Sequence, residues 1–288
     1  MALIKLQDTP IDEIQVPWNK PYVIRGYGKN MTALRKWKDM NYLREKMQNV
    51  EVDVEIYKSF KDFETSKASV QGWKFDKYLD NLGDNNGEWN EPAFFSDNKG
   101  GRTYVPDCDL VSLQDNIHRD IFEDLINPYD YRIGLKNGDG VKGFPDGMNL
   151  YIGKNTKTGM HCHIEDDFML NQIIGKKKVY LMDFEQLTIN PFWSKYTNFS
   201  RENFFELDWD KIDIYYVELN PGDSICFPPW IWHAVESDGY TIGVAKVWER
   251  NDQWEIYKNN PKFLPLKRRF YLSSLLPKLF IDFVRKYF

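Results

Sequence analysis

The chain is poor in the residues that bind metals or make cross-links. Its 288 residues include four histidines and three cysteines. Cys108, Cys162 and Cys226 are odd in number, far apart and in no Cys-x-x-Cys pair. That excludes a disulfide framework or a paired-cysteine zinc site, and it suits a reducing compartment. No apolar run approaches the roughly 18 residues that a membrane-spanning helix needs. The opening Met-Ala-Leu-Ile-Lys-Leu-Gln-Asp has no apolar core of a secretory leader, so a soluble, cytoplasmic protein is expected. Basic residues are in deficit: 38 Lys and Arg against 43 Asp and Glu give a net charge of −5. Without clustered cations to neutralise phosphates, general nucleic-acid binding is not expected. A GxSxG elbow, a P-loop and a GxGxxG after a strand are absent too.

Aromatic residues, by contrast, are plentiful: ten Trp, seventeen Tyr and nineteen Phe, enough to build a large core and argue against disorder. The length suits one large domain with appendages. Pro21–Arg25 reads as a short strand ended by Gly26, and a helix follows Asn30 with Met31, Leu34, Trp37 and Leu43 along one side. Val50–Tyr57 alternates as a half-buried strand does. Residues 82–102 and 184–211 read as loops. Leu110–Leu125 reads as a helix carrying the fourth histidine, His118, which has no partner motif and is left out of any site.

From about Met148 the texture becomes short strands separated by turns. Asn149–Ile152 leads to Gly153; Asp167–Ile174 and Lys176–Asp183 flank Gly175. Ile212–Leu219, Ser224–Phe227, Trp232–Glu236 and Tyr240–Trp248 follow. This is the pattern of a jelly-roll sandwich or barrel, so the fold class is mainly β. A double-stranded β-helix core over about 148–250 sits within a domain of residues 1–250, with N-terminal α/β elements. The tail, residues 251–288, keeps helical apolar spacing through Leu272, Leu275, Leu276, Leu279, Phe280 and Phe283. It is expected to be helical and to dock on its own domain or on a second copy, giving a homodimer; contact with a membrane surface is the less favoured alternative.

The chemistry concentrates in two stretches. Thr158-Gly-Met-His-Cys-His-Ile-Glu165 carries two histidines, and Pro221-Gly-Asp through Trp232-His233 carries a third. Residues two apart on a strand share a face, so His161, His163 and Glu165 can converge, and His233 from a second strand would complete a metal site. An open facial set of three ligands suits non-haem iron. His161 and His233 are the two plain imidazoles; His163 and Glu165 compete for the third position, and a bulge would bring Glu165 round.

These segments, with Lys20-Pro-Tyr-Val-Ile-Arg-Gly26, Trp37, Ile152-Gly153, Gln172-Ile-Ile-Gly-Lys-Lys177 and Val247-Trp248, resemble in order those of the Jumonji-C, cupin-like oxygenases of the asparaginyl-hydroxylase branch. The likeness covers roughly residues 18–250. It implies an Fe(II)- and 2-oxoglutarate-dependent dioxygenase that hydroxylates, or demethylates, a protein side chain, with a protein or peptide substrate, or else a small molecule. His161 would be the first metal ligand and His233 the last. Thr158 and Tyr151 would face the cosubstrate, and Lys246 would reshape its end of the pocket. The family's His-x-Asp or His-x-Glu is broken here, because alignment on Thr158 puts His163 in the acid position. One basic residue after the glycine would bind the distal carboxylate. Alternation puts Lys177 on the face of Val179 and Leu181, where a cation is costly unless an anion pairs with it. If His163 is the ligand and Lys177 is solvated, a cupin metalloenzyme that does not use 2-oxoglutarate is the alternative. A catalytically silent binding domain is the third.

Overall fold

The computed structural model describes residues 3–57, 69–82, 102–132, 145–163, 166–182, 204–206, 213–229 and 231–250. The strands are β1 (Leu3–Lys5), β2 (Tyr22–Ile24), β3 (Glu51–Tyr57), β4 (Ser69–Lys74), β5 (Arg102–Asp109), β6 (Gly147–Lys154), β7 (Lys157–His161), β8 (Asp166–Met182), β9 (Ile214–Leu219), β10 (Ser224–Phe227) and β11 (Trp232–Glu249). All belong to one hydrogen-bonded sheet. The mainly β class expected from the sequence is what the chain forms.

Two strands make that sheet close on itself. β8 and β11 are antiparallel partners along most of their length, from Trp232 opposite Met182 to Glu249 opposite Asp166. Drawn straight, Phe168 and Leu181 would lie about 43 Å apart at some 3.3 Å per residue. Yet both sit in one buried cluster with Leu170, Val179, Val217, Leu219, Ile225, Phe227 and Ala245. The strands therefore bend, β8 at Gly175 (φ 69°) and β11 at Gly239 (φ 67°). Each of the two pairs of strands expected from the sequence is one long strand turning a corner. One layer contains β1, β9, the second half of β8, the first half of β11, and β7; the other contains β2, β10, the remaining halves, then β6, β5, β3 and β4.

The outer face of the second layer is buried as well. Met169, Ile173, Val244, Trp248, Leu150 and Ile152 pack there with Trp37, Leu43, Phe75 and Leu79. The last four come from the segment of short helices α1 (Ala33–Lys36), α2 (Met40–Lys46) and α3 (Phe75–Leu82). Asp39 caps α2 by accepting from the Asn41 amide at 2.9 Å, which satisfies one of the orphan donors of its first turn. The single helix expected after Asn30 is thus two. Leu110–Leu125 is likewise not continuous: it contains a 3-10 turn at Gln114–Asn116 and α4 (Asp120–Asp124), with α5 (Pro128–Arg132) following. Short polar side chains compete for backbone groups and interrupt helices. Here the exposed His118 Nδ1 accepts from the Asp120 amide at 3.2 Å, outside any site.

Gly175 is the corner that no other residue fits. A Cβ there would lie 1.9 Å from the Tyr240 carbonyl oxygen, on a left-handed backbone. Gly175→Ala is expected to cost at least about 2 kcal/mol, from left-handed strain plus a clash with rigid backbone. A chemical-denaturation midpoint well below that of the parent would show it; an unchanged midpoint would refute it.

Candidate functional site

The site begins as a pairing of strands. His161 at the end of β7 is the direct partner of His233 near the start of β11, so their side chains emerge on one face. Two residues along β11, Val235 pairs with Thr158, and the register slips between the two pairs. Three residues of β7 therefore span two of β11. Strict alternation would send Thr158 and His161 to opposite faces, but the bulge restores both to the interior. On the other side of His233 stands Leu181, of the inner cluster. Thr158 Oγ1 lies 3.5 Å from the Val235 carbonyl.

His163 joins them from the segment after β7. One ligand atom from each of His161, His163 and His233 lies within 4.8 Å of the other two. Ring centroids are 4.1 Å apart for His161 and His233, and 5.1 Å for His163 and His233. His161 Nδ1 lies 2.8 Å from the Gly159 carbonyl, and His233 Nδ1 lies 3.0 Å from that of Ile231. A carbonyl only accepts, so each Nδ1 carries the proton and each Nε2 presents a lone pair. Among the described residues His163 Nε2 is buried with no partner, and its ring stacks on Phe168 at 4.5 Å and 11°. Burial, and secondarily the neighbouring His161, pushes the His163 pKa down to about 3. Burial likewise holds His233 well below the usual imidazole range, with His161 and His163 adding to it. Neutral imidazoles with converging lone pairs and one orphaned nitrogen fit a divalent transition metal. Cys162, between two of them in sequence, is buried, and burial holds its thiol above its ordinary pKa. Glu165, the rival for the third position, lies outside the described residues.

A second feature shares this interior. Lys177 is 4% exposed and pairs across the sheet with Leu219 and Ser237. It lies on the face of Val179 and Leu181, as alternation requires. Burial lowers its pKa to about 8, with no compensating carboxylate among the described residues. Its Nζ sits 5.4 Å from the centroid of the Tyr151 ring. The opposite layer makes room for it: Tyr151 and Gln172 flank Gly243 as direct partners, and a Cβ on Gly243 would meet Lys177 Nζ at 3.2 Å and Gln172 Oε1 at 3.5 Å. That oxygen is buried and has no partner among the described residues, and the Gln172 amide nitrogen donates to the Ile174 and Gly175 carbonyls. The chain thus builds a buried cation, an orphan acceptor and the space of a missing side chain into one corner.

His161, His163, His233, Thr158, Tyr151 and Lys177 come together on this inner face. Lys246 does not, and the expectation that it shapes the cosubstrate end is corrected. It alternates with Ala245 of the inner cluster and so faces the other way, donating to Asp130 Oδ2 at 2.6 Å and to the Leu125 carbonyl at 3.0 Å. Asp130 also accepts from the Tyr27 hydroxyl at 2.5 Å, which makes Lys246 part of a buried structural network. Sequence reasoning missed Gln172 and Gly243, which line the corner that holds Lys177. The alternation Ala245–Lys246–Val247 was the signal that could have placed Lys246; none marked Gly243, whose neighbours come from other strands.

A sequence profile described as a cupin-like domain matches residues 9–253. Jumonji C domain-containing protein 5 of Drosophila melanogaster is 27% identical over 241 residues, which cover 80% of this chain and 55% of that protein. JmjC domain-containing protein F of Dictyostelium discoideum is 25% identical over 274 residues, covering 78% of this chain and 56% of that protein. The chain therefore spans about half the length of these relatives. Among the described residues no helix is long and apolar enough to cross a membrane.

Proposed function

The chain belongs to the cupin-like domain family, and from that premise we propose that it is an Fe(II)- and 2-oxoglutarate-dependent dioxygenase that hydroxylates a protein side chain, or demethylates one by the same C–H chemistry. The observation that carries the reading is Lys177, a buried ammonium with no carboxylate beside it among the described residues, on the same inner face as the histidine cluster. Lys177 lies four residues along β8 from Leu181, the partner of His233, a separation of about 13 Å along the strand. After the reach of both side chains, the gap suits a small dicarboxylate that touches metal and ammonium at once.

His161 and His233 would hold the iron, with a third ligand from residues 163–165. The bound iron would supply dioxygen activation coupled to oxidative decarboxylation of the cosubstrate to succinate and CO2. The protein's own part is positioning. The carbonyls of Gly159 and Ile231 keep the two imidazoles in the tautomer that offers Nε2, and orientation of this kind sharpens metal affinity. Lys177 would pair with the distal carboxylate, with Tyr151 beside it. Thr158 faces the same space, and Phe168, Phe227 and Leu181 exclude water, which strengthens every charge interaction within.

Succinate formation that requires both iron and 2-oxoglutarate, followed over a panel of peptides, tests the proposal. The three-histidine cluster favours a second reading, a cupin metalloenzyme without this cosubstrate. Metal binding with no 2-oxoglutarate binding would select it, and failure to bind any metal would leave a silent binding domain.

The pocket also has a pH signature. Below about 8 the folded protein carries Lys177 as ammonium; above it the amine is neutral. Dicarboxylate binding then requires proton uptake, so affinity is expected to fall about tenfold per pH unit above 8. Calorimetry in buffers of different ionisation enthalpy would detect that uptake, and a pH-independent affinity from 7 to 9.5 would contradict it. In the ligand-free protein the sign is opposite. Between about 8 and the ordinary lysine value of 10.5 the unfolded chain binds more protons than the folded one, so this group makes stability rise with pH across that window.

A further inference from the structure

We infer that the third metal position is filled by the His163 imidazole, so that the centre is a neutral triad of three nitrogens and not two histidines with a carboxylate. The inference rests on the metal-binding part of the function proposed above and is independent of the cosubstrate.

Three observations carry it. A ligand atom of His163 is within 4.8 Å of those of His161 and His233. Its Nε2 is buried and has no hydrogen-bond partner among the described residues, whereas the other two rings each satisfy Nδ1 on a carbonyl two residues earlier. Buried polar atoms in folded proteins nearly always have a partner, and the one this atom lacks is the one a metal supplies. The ring is also fixed in place, stacked on Phe168 and lying edge-on to His161 at 5.5 Å. Phe168 in turn stacks on Phe227, which contacts His233 at 4.7 Å.

The chemistry agrees with the surroundings. An ionised carboxylate in this aromatic enclosure would be strongly disfavoured before a metal arrived, whereas a neutral imidazole is not. Three neutral ligands leave both charges of a divalent ion uncompensated. They also favour borderline ions such as Co(II), Ni(II) and Fe(II) over hard, oxygen-seeking Mn(II) and Mg(II). A histidine in the acid position should therefore narrow the range of metals the site accepts.

Titration of the full chain with Co(II) and Mn(II), without cosubstrate, tests this. His163→Ala is expected to weaken Co(II) binding at least about 100-fold, more than the loss of an outer group that only orients a ligand. His163→Asp should keep Co(II) but lower the preference for Co(II) over Mn(II) by at least about tenfold. Glu165→Gln should match the parent for both ions. Pulsed EPR of the Cu(II)-loaded protein should count three coupled imidazoles in the parent and two in His163→Asp, and circular dichroism of the metal-free variants guards against misfolding. Two imidazoles in the parent, or loss of Co(II) affinity in Glu165→Gln, would overturn the inference. Three imidazoles without any succinate formation would sink the dioxygenase reading and leave this one standing.

Discussion

Replacing His233 by alanine is expected to abolish metal binding and reduce turnover to background. His233 sits at the centre of the arrangement, with His161 as its strand partner on one side and Leu181 on the other. It is 2% exposed, so solvent cannot easily supply a substitute ligand. Loss of one of three ligands should weaken Co(II) or Fe(II) affinity by at least about 100-fold, more than changes to outer groups that only orient a ligand. Thermal unfolding gives a readout that needs no substrate. A metal present at 100 times its dissociation constant stabilises the parent by about 2.7 kcal/mol, and that increment should vanish in His233→Ala. A variant that kept the metal-induced shift would show that the ion sits elsewhere. The metal-free variant should remain folded, since the substitution removes a single neutral ring and its one bond to the Ile231 carbonyl.

Lys177→Met should separate function from stability. An unpaired ammonium this deeply buried works against folding, and an apolar side chain of similar length removes that cost. The metal-free, cosubstrate-free variant is therefore expected to be as stable as the parent or more so. Its affinity for 2-oxoglutarate should nevertheless fall at least about 100-fold, because the distal carboxylate would be desolvated against Met, Tyr151 and Gly243 with no cation to meet it. Metal affinity should not change, since Lys177 pairs with Ser237 and Leu219 and not with any histidine. The informative result is that combination: stability held or raised, metal retained, cosubstrate lost. A destabilised variant with intact 2-oxoglutarate affinity would mean that Lys177 is structural. Gly243→Ala should produce a milder version, because its Cβ would press on the Lys177 ammonium at 3.2 Å.

Much of this was legible along the chain because it depends on local period. Alternation over Lys176–Met182 determined that Lys177 shares a face with Val179 and Leu181, and the interior is where that face lies. The strand segments from Met148 onward were readable for the same reason. The pattern Pro221-Gly222-Asp223 also acts as a turn: the Asp223 carboxylate accepts from the Asn220 and Gly26 amides and from Arg25. Lys246 obeys the same alternation: its neighbour Ala245 lies in the inner cluster, so Lys246 faces the other way, toward Asp130.

What the sequence determined by itself was the mainly β class, the pair His161 and His233 as candidate ligands, and the side of the strand on which Lys177 stands. Each follows from a two-residue period and a few turn residues. The tertiary structure decided the rest. It merged pairs of short strands into two long ones bent at Gly175 and Gly239, shifted the phase of β7 by a bulge so that Thr158 and His161 face the same way, and set Gly243 opposite Gln172 and Tyr151 to open space for an ammonium. It also packed His163 against Phe168 within reach of the other two rings. These depend on which strand lies beside which, and on a register slip of one residue, quantities that hydrogen bonding between distant segments sets and that no local pattern encodes.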